Sequence, residues 1–148
     1  MKIERLPLEP ELKKQLQEHV YDVIGYIQET HNDLGPGMPE YIYQEGLAKV
    51  IKEHGIEPEK EMQFHPVFHG EPMEAYQKMD LVVPRERGNI IIECKAIKEL
   101  GDKERYQLFG YMRGTEFPIG ILVNFGTWPR AEVERYYYNK REKTIRAF

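Results

Sequence analysis

A chain of 148 residues can enclose one core and is too short to make two domains the natural division, so residues 1–148 are read as a single unit. A formal net charge of −4, from 21 basic and 25 acidic residues, lacks the globally basic signature, pI above about 9, of many nucleic-acid binders. No run approaches the roughly 18 apolar residues of a membrane span, and Cys94, the only cysteine, excludes an intramolecular disulfide framework and a multi-cysteine zinc site.

The N-terminal "MKIERLPLEPELKK" has no apolar core behind a basic flank, so it is not read as a signal peptide, and the cytoplasm is the expected compartment. Leu12, Leu16, Val20, Val23 and Ile27 recur at helical spacing and predict a helix over 9–34. It is stopped by Gly35-Pro36-Gly37, because glycine tolerates the left-handed exit and proline cannot continue the ladder. A second helix follows over 39–54, with Pro39 in its first turn and Gly55 as its stop. From Met62 the rhythm changes to strands at 61–69, 74–83 and 89–96, joined by short turns and read as an antiparallel meander. "LGDKERYQLFGYMRG" over 100–114 is a helix. "IGILVNF" over 119–125 is a strand covered on both faces, and the tyrosine-rich tail is read as strands at an edge. The sum is an α/β sandwich around a mixed sheet.

The chemistry concentrates in the second and third strands of the meander. With a hairpin loop over 85–88, Asp80 lies across from Glu93 and Lys78 across from Lys95, with opposed Cβ atoms roughly 4.5–5.5 Å apart. Alternation puts Lys78, Asp80, Val82, Ile91, Glu93 and Lys95 on one face and Met79, Leu81, Val83, Ile90, Ile92 and Cys94 on a core face. Cross-strand ion pairs on a solvated sheet are the ordinary outcome of such spacing. Two carboxylates this close repel, however, and a divalent cation resolves the conflict; oxygen-only ligation points to Mg²⁺ or Mn²⁺. Lys95 can then face the same anionic ligand. On the second helix Glu40 shares a helical stripe with Tyr43, Leu47, Val50 and Ile51, which either directs a third acid at the sheet or, since Glu40 stands in the first turn, leaves it at the periphery favouring the helix dipole. Gln107 and Tyr111, one turn apart on the next helix, can add polar contacts.

Within "GPGMPEYIY" stands G-x-x-E-x-x-Y as Gly37, Glu40 and Tyr43, followed in order by "VFHG", "KMDLVV", "IIIECKAI", "QLFGYM" and "GILVNFG". This series resembles the bacterial GxxExxY family, a branch of the PD-(D/E)xK nuclease-like superfamily, over about residues 17–135. The resemblance implies a restriction-endonuclease-like α-β-β-β-α-β core and a metal-dependent nuclease site. It places Glu40 as the helix acid, Asp80 as the acid of the second core strand, Glu93 and Lys95 as the E-x-K, and Gln107 with Tyr111 as the Q-x-x-x-Y. It also implies that the main-chain carbonyl of Cys94 completes the metal shell of Asp80, Glu93 and Glu40. Met79 stands where the superfamily name has proline, and Cys94 where the branch has a larger aliphatic residue.

The leading expectation is Mg²⁺-dependent hydrolysis of phosphodiester bonds in nucleic acid, DNA first, with Lys78, Arg85, Arg87, Lys98 and Arg105 contacting phosphates. The half from 78 to 148 suits an anionic partner: it carries 14 basic and 10 acidic residues, against 7 and 15 in residues 1–77. The alternative is a catalytically silent module that binds nucleic acid or a partner on the same fold; a third reading is an enzyme acting on a small phosphorylated substrate. The five histidines are read as surface or capping residues, and "RYYYNKR" as edge packing, as in a homodimer, in preference to base stacking.

Overall fold

The computed structural model describes residues 2–4 and 6–148, with side chains from Leu6 onward. A short strand β1 (Lys2–Glu4) precedes α1 (Pro10–Leu34), which has proline in its first turn and ends against Gly35 in a left-handed backbone conformation. α2 (Glu40–Glu53) follows, then β2 (Glu59–Phe64) and a two-residue-per-strand hairpin, β3 (Val67–Phe68) and β4 (Glu71–Pro72). β5 (Gln77–Val83) and β6 (Ile90–Lys95) form the main hairpin. α3 (Asp102–Thr115) crosses over to β7 (Ile119–Asn124), and β8 (Glu132–Asn139) and β9 (Thr144–Ala147) close the chain. Seven strands form one sheet in the order β1-β9-β8-β7-β6-β5-β2. β6 and β7 are parallel, as are β1 and β9, and the other pairs are antiparallel. The run α2, β2, β5, β6, α3, β7 reproduces the expected α-β-β-β-α-β order around a mixed sheet.

Both faces of the sheet are covered. Val20, Val23 and Ile27 of α1 and Tyr43, Leu47 and Ile51 of α2 pack on one face, over Leu81, Val83, Ile90, Ile92 and Cys94. Leu108, Phe109, Tyr111 and Met112 of α3 pack on the other, over Val82, Ile91 and Leu122. That double cover explains why β6 and β7 read as nearly unbroken apolar runs. Met79 falls on the α3 side beside Val82 and not with Leu81 and Val83 as alternation predicts. The cause is a local break in the sheet at Asp80, described below.

Three other expectations are corrected. The first meander strand does not run over 61–69: Pro66 interrupts it, and His69 and Gly70, with φ of 53° and 80°, make the left-handed turn of a separate β3–β4 hairpin. The three tyrosines lie on β8, an interior strand between β7 and β9, so Tyr136 and Tyr138 are core residues under α3 and offer no edge for a homodimer. His19 and His31 are buried on the inner side of α1 rather than at the surface. His31 Nε2 donates to the Thr127 carbonyl at 2.7 Å and His19 Nε2 lies 3.3 Å from the Gly88 carbonyl, which ties the helix to two loops.

Candidate active site

The site begins where the sheet comes apart. The β5–β6 ladder runs from Val83–Ile90 through Val82–Ile91 to Leu81–Ile92 and stops, while the β6–β7 ladder continues to Lys95–Asn124. The expected register is therefore present, and Asp80 and Glu93 stand opposite each other at the first step after the pairing ends. Side chains take over from the backbone there. The Asp80 N–H donates to Glu93 Oε1 at 3.0 Å, and the Cys94 N–H donates to Asp80 Oδ2 at 2.8 Å. Each carboxylate thus satisfies a backbone donor that a cross-strand carbonyl would otherwise take.

The same residue has left the other ladder. β2 pairs β5 from Glu59–Val82 to Phe64–Gln77, but Glu61 and Asp80 are skipped, and Glu61 sits at a φ of 53°. The Asp80 carbonyl instead accepts a hydrogen bond from Gln44 Nε2 of α2 at 3.1 Å. Both backbone polar groups of Asp80 are held by side chains, so its carboxylate is fixed between two strands that part around it. Gln44 escaped the sequence reading. The signal for it was its position one turn after Glu40, on the same side of α2.

Burial sets the electrostatics. Glu93 is 2% exposed, and its carboxyl is pushed up to about 8, first by burial and then by the Asp80 charge, against the opposing pull of the Asp80 N–H and Lys95. Asp80 is also raised, by burial above all; the Cys94 N–H and Lys95 work the other way, and Glu40 and Glu61 add to the rise. The Cys94 thiol lies in the core below α1 and α2 and is pushed far up by burial, so sulfur does not enter the site. Its carbonyl is another matter. Lys95 O accepts from Phe125 N on the β7 side at 2.7 Å, and strand carbonyls alternate, so that of Cys94 turns toward the opening at Asp80.

On the α3 side the polar residues form a chain. Lys95 Nζ donates to Gln107 Oε1 at 2.9 Å, Gln107 Nε2 donates to Tyr111 Oη at 3.3 Å, and Tyr111 Oη donates to the Lys78 carbonyl at 3.3 Å. Burial, and then the Glu93 charge, push the Tyr111 phenol up to about 12, which keeps its proton in place as a donor. The structure thus sets the Lys95–Gln107–Tyr111 chain beside the Asp80–Glu93 pair, near enough for the Lys95 charge to act on both carboxyls.

Glu40 is placed differently from the expectation. It is the first residue of α2 and exposed, and the buried stripe starts only at Tyr43. Its charge still reaches Asp80 and Glu93, raising both, so it stands at the rim. Tyr43 anchors the loop before it: the hydroxyl donates to the Gly35 carbonyl and accepts from Met38 N, while the ring stacks on Phe125 at 4.7 Å. Among the described residues no three His, Cys, Asp or Glu side chains are grouped to hold an ion by themselves. Two carboxylates with a main-chain carbonyl between them are the donors on hand. They fit a hard divalent cation, because they are oxygen-only and because both carboxyls are raised where no cation separates them.

Of the cations expected on phosphates, Arg105 is spent elsewhere. It grips Glu134 with Nε and Nη2, both at 2.8 Å, and Asp102 with Nη1 at 3.1 Å, which fastens α3 to β8. Arg85 pairs with Asp22 at 3.7 Å; with Arg87 it occupies the loop at the opposite end of β6 from Lys95, about 20 Å away at strand rise. Lys78, 3.8 Å from Glu61, and Lys98 remain at the site end.

The family model described as the PD-(D/E)XK nuclease superfamily matches residues 17–136. The chain belongs to this superfamily. The match spans α2, the parted β5–β6 hairpin, α3 and β7, and the mixed sheet between helices is the restriction-endonuclease-like arrangement. No curated protein and no solved structure matches the chain. None of its helices is long and apolar enough to cross a membrane, among the described residues.

Proposed function

We propose that the protein is a Mg²⁺- or Mn²⁺-dependent nuclease that hydrolyses phosphodiester bonds in nucleic acid, DNA first. The observation that carries this reading is the parting of β5 from β6 at Asp80, which sets two raised carboxyls opposite each other with Lys95 beside them. The carboxylates of Asp80 and Glu93 and the Cys94 carbonyl would hold the ion, with Glu40 contributing from the rim. When bound, the ion polarises a phosphodiester and acidifies an attacking water.

The chain's own groups do the rest. Gln107 holds the Lys95 ammonium by its amide oxygen, and in turn is held by Tyr111, so the charge is delivered at a defined place. There it orients the water and offsets charge that builds on the phosphoryl oxygens. Lys78 and Lys98 contact flanking phosphates without reading sequence. The G-x-x-E-x-x-Y of Gly37, Glu40 and Tyr43 supports the GxxExxY branch, with Tyr43 fixing the loop that presents Glu40. A lone reduced cysteine in the core suits a cytoplasmic setting.

The test is cleavage of plasmid and oligonucleotide in Mg²⁺ or Mn²⁺ by wild type, Glu93→Ala and Lys95→Ala. Each substitution is expected to cost about a hundredfold or more. Equal cleavage by all three proteins would sink the assignment.

A further inference from the structure

Several of the large apolar side chains left in water gather at one end of the molecule, although Tyr21 on α1 and Trp128 after β7 stand elsewhere. Phe68 (61% exposed), Val67, Met73 and Tyr76 project from the segment between β2 and β5. That segment leaves the sheet where β5 begins, and because β5 runs antiparallel to β6, this is the end at which β6 delivers Glu93 and Lys95. Tyr41 (70% exposed) follows Glu40, and with Gln44, Lys60 and Glu61 lines a depression of about 390 Å³. Its Gln44 is the residue that holds the Asp80 carbonyl. Tyr106 (58% exposed) directly precedes Gln107 on α3. Exposed rings therefore flank the candidate site on three elements.

The projecting segment is built to hold its rings still. Met73 N donates to the Pro66 carbonyl and His65 Nδ1 to the Met73 carbonyl, both at 2.8 Å. The Phe68 ring stacks on His69 at 4.0 Å and Tyr76 leans on His65 at 5.3 Å. Its charge is the wrong sign for a phosphate clamp: residues 61–77 contain no Lys or Arg but do contain Glu61, Glu71 and Glu74. Cations resume at the root, with Lys78, Lys95 and Lys98. A nucleic acid lying here would keep its phosphates on the lysines and meet the hairpin with something uncharged and flat.

We propose that the exposed rings of the segment between β2 and β5, Phe68 and Tyr76, beside the Asp80–Glu93–Lys95 cluster, stack the unpaired bases of a single-stranded nucleic acid. The inference rests on the nuclease reading and names its substrate class. A duplex presents phosphates outward and hides its base faces, so the rings gain nothing from it and Glu71 and Glu74 repel it. A single strand exposes π-faces that aromatic side chains bind whatever the sequence.

Fluorescence anisotropy with the full chain, in EDTA so that nothing is cut, compares a thymidine oligonucleotide, an abasic strand of the same length and a blunt duplex. The thymidine strand is expected to bind about tenfold or more tighter than the abasic one. Phe68→Ala with Tyr76→Ala, both at exposed positions, should remove about that factor for the thymidine strand and leave the abasic strand unchanged, with an unaltered circular dichroism spectrum. Equal affinity for thymidine and abasic strands, preference for the duplex, or no detectable binding overturns the proposal. So does a result in which the double variant only converts a dimer to a monomer in sedimentation. Cleavage in Mg²⁺ is scored separately. Base-dependent binding without cleavage removes the nuclease reading and leaves the base platform, whereas single-strand cleavage that is equal in wild type and the double variant does the reverse.

Discussion

Replacing Glu93 by glutamine should stabilise the metal-free protein at neutral pH, although the residue stands at the centre of the site. The Glu93 carboxyl is almost fully buried and titrates near 8 in the fold, against an ordinary value of 4.5. Below pH 4.5 the folded and unfolded chains both hold its proton, and it contributes no difference. As pH rises above that, the unfolded chain releases the proton while the folded one keeps it, so stability falls by about 1.4 kcal/mol per pH unit. By pH 7 the loss is about 3 kcal/mol; it levels off as the folded carboxyl ionises near 8. Glutamine keeps an oxygen for the Asp80 N–H and does not titrate, so neither the folded nor the unfolded chain gains or loses a proton there. In EDTA the melting temperature of Glu93→Gln should match wild type near pH 4.5 and exceed it by ~6–12 °C at pH 7. Asp80→Asn should gain less, since Asp80 is only partly buried and Lys95 and the Cys94 N–H favour its charge. A difference between Glu93→Gln and wild type that does not change between pH 4.5 and 7, or a glutamine variant less stable at pH 7, would refute the assignment of a held proton to Glu93.

Divalent metal acts on the same group with the opposite sense: saturating Mn²⁺ should raise the wild-type melting temperature at pH 7 and leave Glu93→Gln nearly unmoved, which thermal scans with and without chelator check. Tyr43→Phe strips partners from the Gly35 carbonyl and Met38 N–H; it should cost about 1–3 kcal/mol in urea unfolding and weaken cleavage through the loop that presents Glu40. Gly126→Ala would set a methyl group 2.4 Å from the Ile97 carbonyl oxygen and 2.8 Å from Ile97 N. Because Asn124 clamps Ile97 through both its N–H and its carbonyl, the backbone cannot easily retreat. A loss of about 2 kcal/mol is expected by denaturant titration, with lower activity as the end of β6 shifts.

The pairing of Asp80 with Glu93 was legible because three local facts suffice for it: two alternating runs, a short turn between them, and the pleat. The cover of β7 on both faces was legible from its unbroken apolar run. What alternation cannot foresee is a strand that leaves its ladder. Glu61 takes a left-handed φ that its residue type does not announce, and the skipped pair lets Met79 and Val82 share one face. Pro66 did carry a signal for a break, but a run from Met62 with several apolar residues outweighs it unless the missing proline N–H is weighed first. Glu40 was misplaced for a different reason. A helical stripe predicts burial only where a neighbouring element covers it, and the first residue of α2 is left exposed at the rim, so Tyr43 begins the buried face. Gln44 shows the converse: its place one turn after Glu40 puts it on the right side of α2, but its role arises only because Asp80 has lost a ladder partner that some donor must replace. The break that sequence periodicity misses is therefore the same event that frees the Asp80 carboxylate, and a regular β5 would have paired the acid into the sheet and closed the site.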